Sequence, residues 1–127
     1  MTRRLRIVIA DDEVDIRQGF RRLLTKLGCD VIGEASNGQE LIDLCEETSP
    51  DLVITDIRMP GLSGIEAANK LANTTPVPVI VVSSHESPNV EKSSVIAAVL
   101  QKPVGLPELE QAIARACPED EGLRPSS

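Results

Sequence analysis

Short runs rich in Val, Ile and Leu alternate along this chain with segments whose apolar residues recur at helical spacing, and that alternation leaves few folds open. The runs at residues 5–10, 52–55 and 77–83 are nearly continuous, as expected of strands covered on both faces. Residues 31–35 and 97–101 are weaker candidates. Phe20, Leu23, Leu24 and Leu27 predict a helix over residues 13–27, stopped by Gly28. Leu41, Leu44 and Cys45 mark a second helix after the turn Ser36-Asn37-Gly38. Ile65, Ala68 and Ala72 mark a third, ended by Asn73-Thr74-Thr75-Pro76. Ser87-Pro88 predicts a short fourth helix by its capping pattern, and residues 106–116 a fifth, with Leu109 and Ile113 inward and Pro107 tolerated in its first turn.

Five strands and five helices in strict alternation imply an α/β fold, a doubly wound parallel sheet with right-handed crossovers. The length, 127 residues, suits one domain, expected over residues 1–117. Residues 118–127, acidic and polar and without period, are expected to form a disordered tail.

The net charge of −7 repels nucleic acid, and a single aromatic residue, Phe20, leaves almost nothing for base stacking, so both argue against direct nucleic-acid binding. Arg3, Arg4 and Arg6 read as a solvated lead-in to the first strand, not as part of a signal peptide. No stretch approaches the ~20 apolar residues of a membrane span. Three cysteines beside one histidine match no zinc pattern and fit a reducing cytoplasm. Cys45, in step with Leu41 and Leu44, reads as a small buried hydrophobe.

Ligands of such sheets sit beyond the carboxyl ends of the strands, and the polar residues at those ends form a chemical set. Asp11 and Asp12 close the first run, Asp56 the third, Ser83 the fourth and Lys102 the fifth. Asp12 alone could be a helix cap, Asp56 a turn residue before Pro60-Gly61, and Lys102 a surface lysine. Three neighbouring carboxylates repel one another, however, and a Mg²⁺ ion removes that conflict while keeping positions for phosphate oxygens. On that reading Asp56 is a nucleophile toward phosphorus, Lys102 a cation aimed at the phosphoryl group and Ser83 a hydrogen-bond donor, with Ser84 an alternative one position on. The Lys102-Pro103 link is a candidate cis bond that would turn the lysine inward.

Together, Asp11-Asp12, Asp56-x-x-Met59-Pro60-Gly61-x-x-Gly64, Ser83 and Lys102-Pro103 resemble the receiver domain of two-component response regulators, including the chemotaxis-regulator type, over about the first 117 residues. The resemblance implies a flavodoxin-like sheet of order 2-1-3-4-5. It implies Mg²⁺ held by Asp11, Asp12, Asp56 and the backbone carbonyl of Arg58. It also implies phosphorylation of Asp56 by a sensor histidine kinase or a small phosphodonor, with Ser83 as switch hydroxyl and Lys102 as phosphate contact. The output is then a partner protein or a further domain, and whether the chain stands alone or is the first part of a longer regulator is left open. The family usually has an aromatic residue where this chain has Val99, often Phe where it has Val104, and a longer segment between Ser83 and Lys102. Those departures keep a second reading in play, a receiver-like binding module that signals without phosphorylation. A third is a Mg²⁺-dependent phosphohydrolase, although adjacent Asp11 and Asp12 do not match the usual spacing of its nucleophile pair. His85 and Arg58 flank the site and are candidates for tuning the lifetime of an acyl phosphate.

Overall fold

The computed structural model describes residues 4–84 and 95–118. Five parallel strands, β1 (Arg6–Ala10), β2 (Asp30–Ala35), β3 (Leu52–Asp56), β4 (Val79–Ser83) and β5 (Ile96–Gln101), form one sheet in the order β2-β1-β3-β4-β5. The described residues contain four helices, α1 (Val14–Lys26), α2 (Gly38–Thr48), α3 (Gly64–Thr74) and α4 (Leu106–Ala116). The helix expected after Ser87-Pro88 lies outside the described residues, as do His85 and all of the expected tail except Pro118.

Alternation along each strand divides the core in two. Val8, Val53, Val79 and Val81 face α2 and α3, where they meet Leu41, Cys45, Ala67 and Leu71. Ile7, Ile9, Leu52, Ile54, Ile80 and Val82 face α1 and α4, against Phe20, Leu24, Leu109 and Ile113. Both faces of β1, β3 and β4 are therefore dry, which is why those three runs read as continuous rather than alternating. Edge strand β2 is only half-buried and reads weakly for that reason.

Local chemistry sets the helix ends. Gly28 takes φ 81° just past α1, a conformation glycine reaches at no steric cost. Asn37 caps α2 by accepting the Glu40 N–H, and Ser63 and Glu66 form a reciprocal capping box on α3. Two sequence expectations need correction. The buried stripe of α3 is Gly64, Ala67, Ala68 and Leu71, so Ile65 and Ala72 lie at its margin. Arg6 is not a solvated lead-in: it is the first residue of β1, and its guanidinium donates to the carbonyls of Thr48 and Ser49 at 2.9 and 3.0 Å, where a cation meets the negative end of α2.

Candidate functional site

β1 and β3 are neighbours, but the chain leaves β1 toward β2 on one side and leaves β3 toward β4 on the other. That divergence opens a crevice at the carboxyl edge of the sheet, and the acids sit there. Asp11 follows β1 directly and is 3% exposed, Asp12 is exposed, and Asp56 ends β3 half-buried. One carboxylate oxygen from each lies within 4.8 Å of the others.

The backbone fixes two of these acids. Asp11 donates its N–H to the Ala35 carbonyl at 3.0 Å, and its Oδ1 accepts the Glu13 N–H at 2.9 Å. The cap-like role considered for Asp12 thus belongs to Asp11, while Glu13, the N-cap of α1, makes no side-chain cap bond. Asp56 Oδ1 accepts the Ile57 N–H at 2.9 Å, and Ile57 also donates to the Val82 carbonyl at 3.1 Å, which ties the loop after β3 to β4. Behind Asp56, the buried Thr55 hydroxyl donates to the Asp56 carbonyl at 3.0 Å, and Met59 anchors the loop in the α2–α3 core.

Lys102 comes from the end of β5, where its N–H donates to the Ser83 carbonyl at 2.7 Å and its link to Pro103 is cis. Its ammonium lies 3.0 Å from Asp11 Oδ2 and 3.6 Å from Asp56 Oδ1. Burial opposes the ammonium charge, but the hydrogen bond and charge of Asp11, with Asp56 and Glu13 behind them, outweigh it and raise the Lys102 pKa. Burial also pushes the Asp56 carboxyl above its usual range. Lys102 counters this in part, and the Asp11 charge reinforces it. Asp56 is thus a carboxylate ionised against a cost, the condition in which added positive charge stabilises it most.

Ser83 is buried at the end of β4, one residue beyond the Asp56–Val82 pairing, whereas Ser84 is exposed. Of the two hydroxyl positions, Ser83 is the one that belongs to the sheet, at the carboxyl end of the strand beside β3. Arg58 lies exposed in the loop two residues past Asp56.

The donor set fits a small hard cation. Ligands of an octahedral ion with ~2.1 Å bonds stand ~3 to ~4.2 Å apart. Carboxylate oxygens within 4.8 Å reach that spacing with small side-chain movements, or with one acid acting through a water. Sequence reasoning passed over Arg17, whose Nη1 donates to the Asp11 carbonyl at 2.6 Å and whose Nε donates to Glu34 at 2.9 Å. Its only signal was its place one turn after Glu13 at the start of α1.

The family model of the response regulator receiver domain matches residues 7–114. Transcriptional regulatory protein PdtaR of Mycobacterium tuberculosis is 37% identical over 114 residues, covering 87% of this chain and 56% of that protein. Response regulator GacA of Pseudomonas aeruginosa is 34% identical over 114 residues, covering 86% and 53%. The chain spans about half the length of these curated relatives. Among solved structures, a response regulator receiver domain protein from Clostridium thermocellum superposes with a TM-score of 0.79 at 29% identity, covering 92% of this chain and 97% of that one.

Proposed function

Because the chain belongs to the response regulator receiver domain family, we propose that Asp56 takes a phosphoryl group from the phosphohistidine of a sensor histidine kinase, or from a small phosphodonor. The observation that carries this reading is the meeting of Asp11, Asp12 and Asp56 at the strand divergence with the Lys102 ammonium across two of them. The Ile57 N–H holds Asp56 Oδ1, which orients Oδ2 as the nucleophile. With a phosphohistidine donor an O–P bond forms as the N–P bond breaks, and the leaving imidazole keeps its electron pair and takes a proton from solvent. With acetyl phosphate the donor's own O–P bond breaks and acetate leaves with the electron pair. Mg²⁺ would be held by Asp11, Asp12, Asp56 and the Arg58 carbonyl, and when bound it supplies positive charge to the transferring oxygens.

Phosphorylation adds about −1.5 to −2 charges at this point. An ammonium ~4 Å away gains on the order of 4 kcal/mol at an effective dielectric near 20, and a hydroxyl bonded to a charged group ~1.5 to 3 kcal/mol. Reversing a two-state equilibrium from about 1:99 to 99:1 takes roughly 5.5 kcal/mol. Lys102 and Ser83 together are of that order. Part is lost in moving the ammonium off Asp11.

The chain turns over no external substrate on this reading, works in the cytoplasm, and passes its state to a partner or a further domain. Among the described residues no helix is long and apolar enough to cross a membrane. Signalling without phosphorylation has one observation in its favour: Val99, 41% exposed on edge strand β5, has no ring to change position. Incubation with Mg²⁺ and acetyl phosphate decides between them. One added phosphoryl mass, abolished by Asp56→Asn, is the expected result, and inertness in Mg²⁺ sinks the phosphoacceptor reading.

A further inference from the structure

Asp11 is the most buried of the three acids, and the peptide groups on both sides of it are pinned. Its N–H is tied to the Ala35 carbonyl of β2, and its own carbonyl accepts a 2.6 Å bond from Nη1 of Arg17. The Arg17 side chain, 16% exposed, is itself fixed by Glu34, whose Oε1 accepts its Nε at 2.9 Å. Glu34, on β2, pairs in register with Ile9 of β1, so it approaches from the same strand that holds the Asp11 amide. A guanidinium presents several donors in a rigid plane and can serve both acceptors at once.

We propose that Arg17, braced by Glu34, is a positioning residue for the divalent-cation site, clamping the Asp11 carbonyl so that the Asp11 carboxylate faces Asp12 and Asp56. The inference rests on the metal-site reading above and adds to it a residue that touches neither phosphoryl group nor ion. Glu34 also accepts from Arg21 Nε at 2.8 Å, but among the described residues no Arg21 contact to Asp11 accompanies it. Arg21 therefore lies outside the clamp.

Charge and positioning predict opposite signs. Arg17 is a cation near a cation site, so its removal by itself would tighten Mg²⁺ binding. Loss of the clamp would loosen it, and loss of a residue that orients a metal ligand commonly costs 10- to 100-fold in affinity. The test is titration of the whole chain with Mg²⁺ by calorimetry at neutral pH, well below the melting temperature of every variant. Arg17→Gln is expected to weaken Mg²⁺ about tenfold. Arg17→Lys, which reaches one acceptor at a time, is expected to fall between it and the parent. Arg21→Gln removes the same charge and a Glu34 contact and is expected to stay within about twofold. Without metal, faster hydrogen exchange of the Asp11 and Glu13 amides in Arg17→Gln is the second expected sign. Unchanged or tighter Mg²⁺ binding in Arg17→Gln overturns the clamp alone. A parent chain that binds no Mg²⁺ overturns the metal site and the clamp with it.

Discussion

Lys102 donates a 3.0 Å hydrogen bond to Oδ2 of Asp11, closer than its 3.6 Å approach to Asp56. The contact runs from the end of β5 to the end of β1, across the ends of β3 and β4. Lys102 is thus the counter-ion of the acid cluster in this structure, and a phosphoryl group on Asp56 would compete with Asp11 for it.

Replacement of Lys102 by Met removes that counter-ion and leaves the Asp11 side chain, 4% exposed, beside two other carboxylates. The pair is partly solvated, so the loss is set well below that of a fully buried one, at about 1 to 2 kcal/mol in EDTA. Mg²⁺ replaces the missing charge and is expected to restore most of the loss and to bind more tightly than in the parent. Urea unfolding with EDTA and with Mg²⁺ measures both. An equal loss in the two conditions would show that the lysine matters only for packing.

Asp56 carries a pH dependence of definite sign. Burial raises its carboxyl in the folded chain, so just above the ordinary value of 3.8 the folded state binds more protons than the unfolded state. Its contribution to stability therefore falls as pH rises through that window and stays at the lower level above it. Asp56→Asn keeps an oxygen for the Ile57 N–H and removes the charge. In EDTA the variant is expected to match the parent at acid pH and to be the more stable at neutral pH. Mg²⁺ is expected to stabilise the parent more than the variant. Denaturation midpoints across the acid range test this, and a parent that outlasts the Asp56→Asn variant in EDTA at neutral pH refutes it.

The sheet was legible because Ile7, Val8, Ile9, Val53 and Ile54 are dry on both faces, which writes strands as unbroken apolar runs. The acids were legible because a parallel sheet puts its strand ends on one edge, so Asp11 and Asp56 could be placed together without knowing their distance. Arg6 and Arg17 were not legible. Arg6 is held by the carbonyls of Thr48 and Ser49, and Arg17 by the Asp11 carbonyl together with Glu34, a side chain 17 positions away; a carbonyl leaves no mark in a sequence, and neither does a pairing between distant elements. The stripe of α3 slipped because Ala67, Ala68 and Ala72 look alike, and only packing against β3 and β4 tells which of them face inward.

The three thiols should react at different rates. Burial, with the Glu46 charge behind it, pushes the Cys45 thiol up to about 12, and Cys29 is buried as well, whereas Cys117 is half-exposed. The thiolate is the reactive form, so alkylation of the folded chain at mildly alkaline pH is expected to mark Cys117 first. All three should react in denaturant. Mass spectrometry of the alkylated peptides reads the order, and early labelling of Cys45 would mean that the contact between α2 and the sheet opens readily.

Gly64 separates the stability of the loop after β3 from the placement of Asp56. A Cβ on Gly64 would fall on the Asp56 backbone oxygen and come to 2.9 Å from Thr55 Oγ1, and neither neighbour has room to retreat within β3. The Gly64 N–H also donates to the Ile57 carbonyl at 2.8 Å, so the start of α3 is locked to the residues around Asp56. Gly64→Ala is expected to cost about 1 to 3 kcal/mol by overpacking. It should also slow phosphoryl uptake from acetyl phosphate by up to roughly 100-fold, the order of effect that a misplaced reacting group produces. Gly61→Ala is the informative contrast. Its φ of 75° makes alanine strained, but its Cβ meets nothing within 4 Å, so stability should fall with a much smaller change in rate. Equal rate losses in the two variants would mean that uptake follows loop stability, and that close packing of α3 against β3 does not set the position of Asp56.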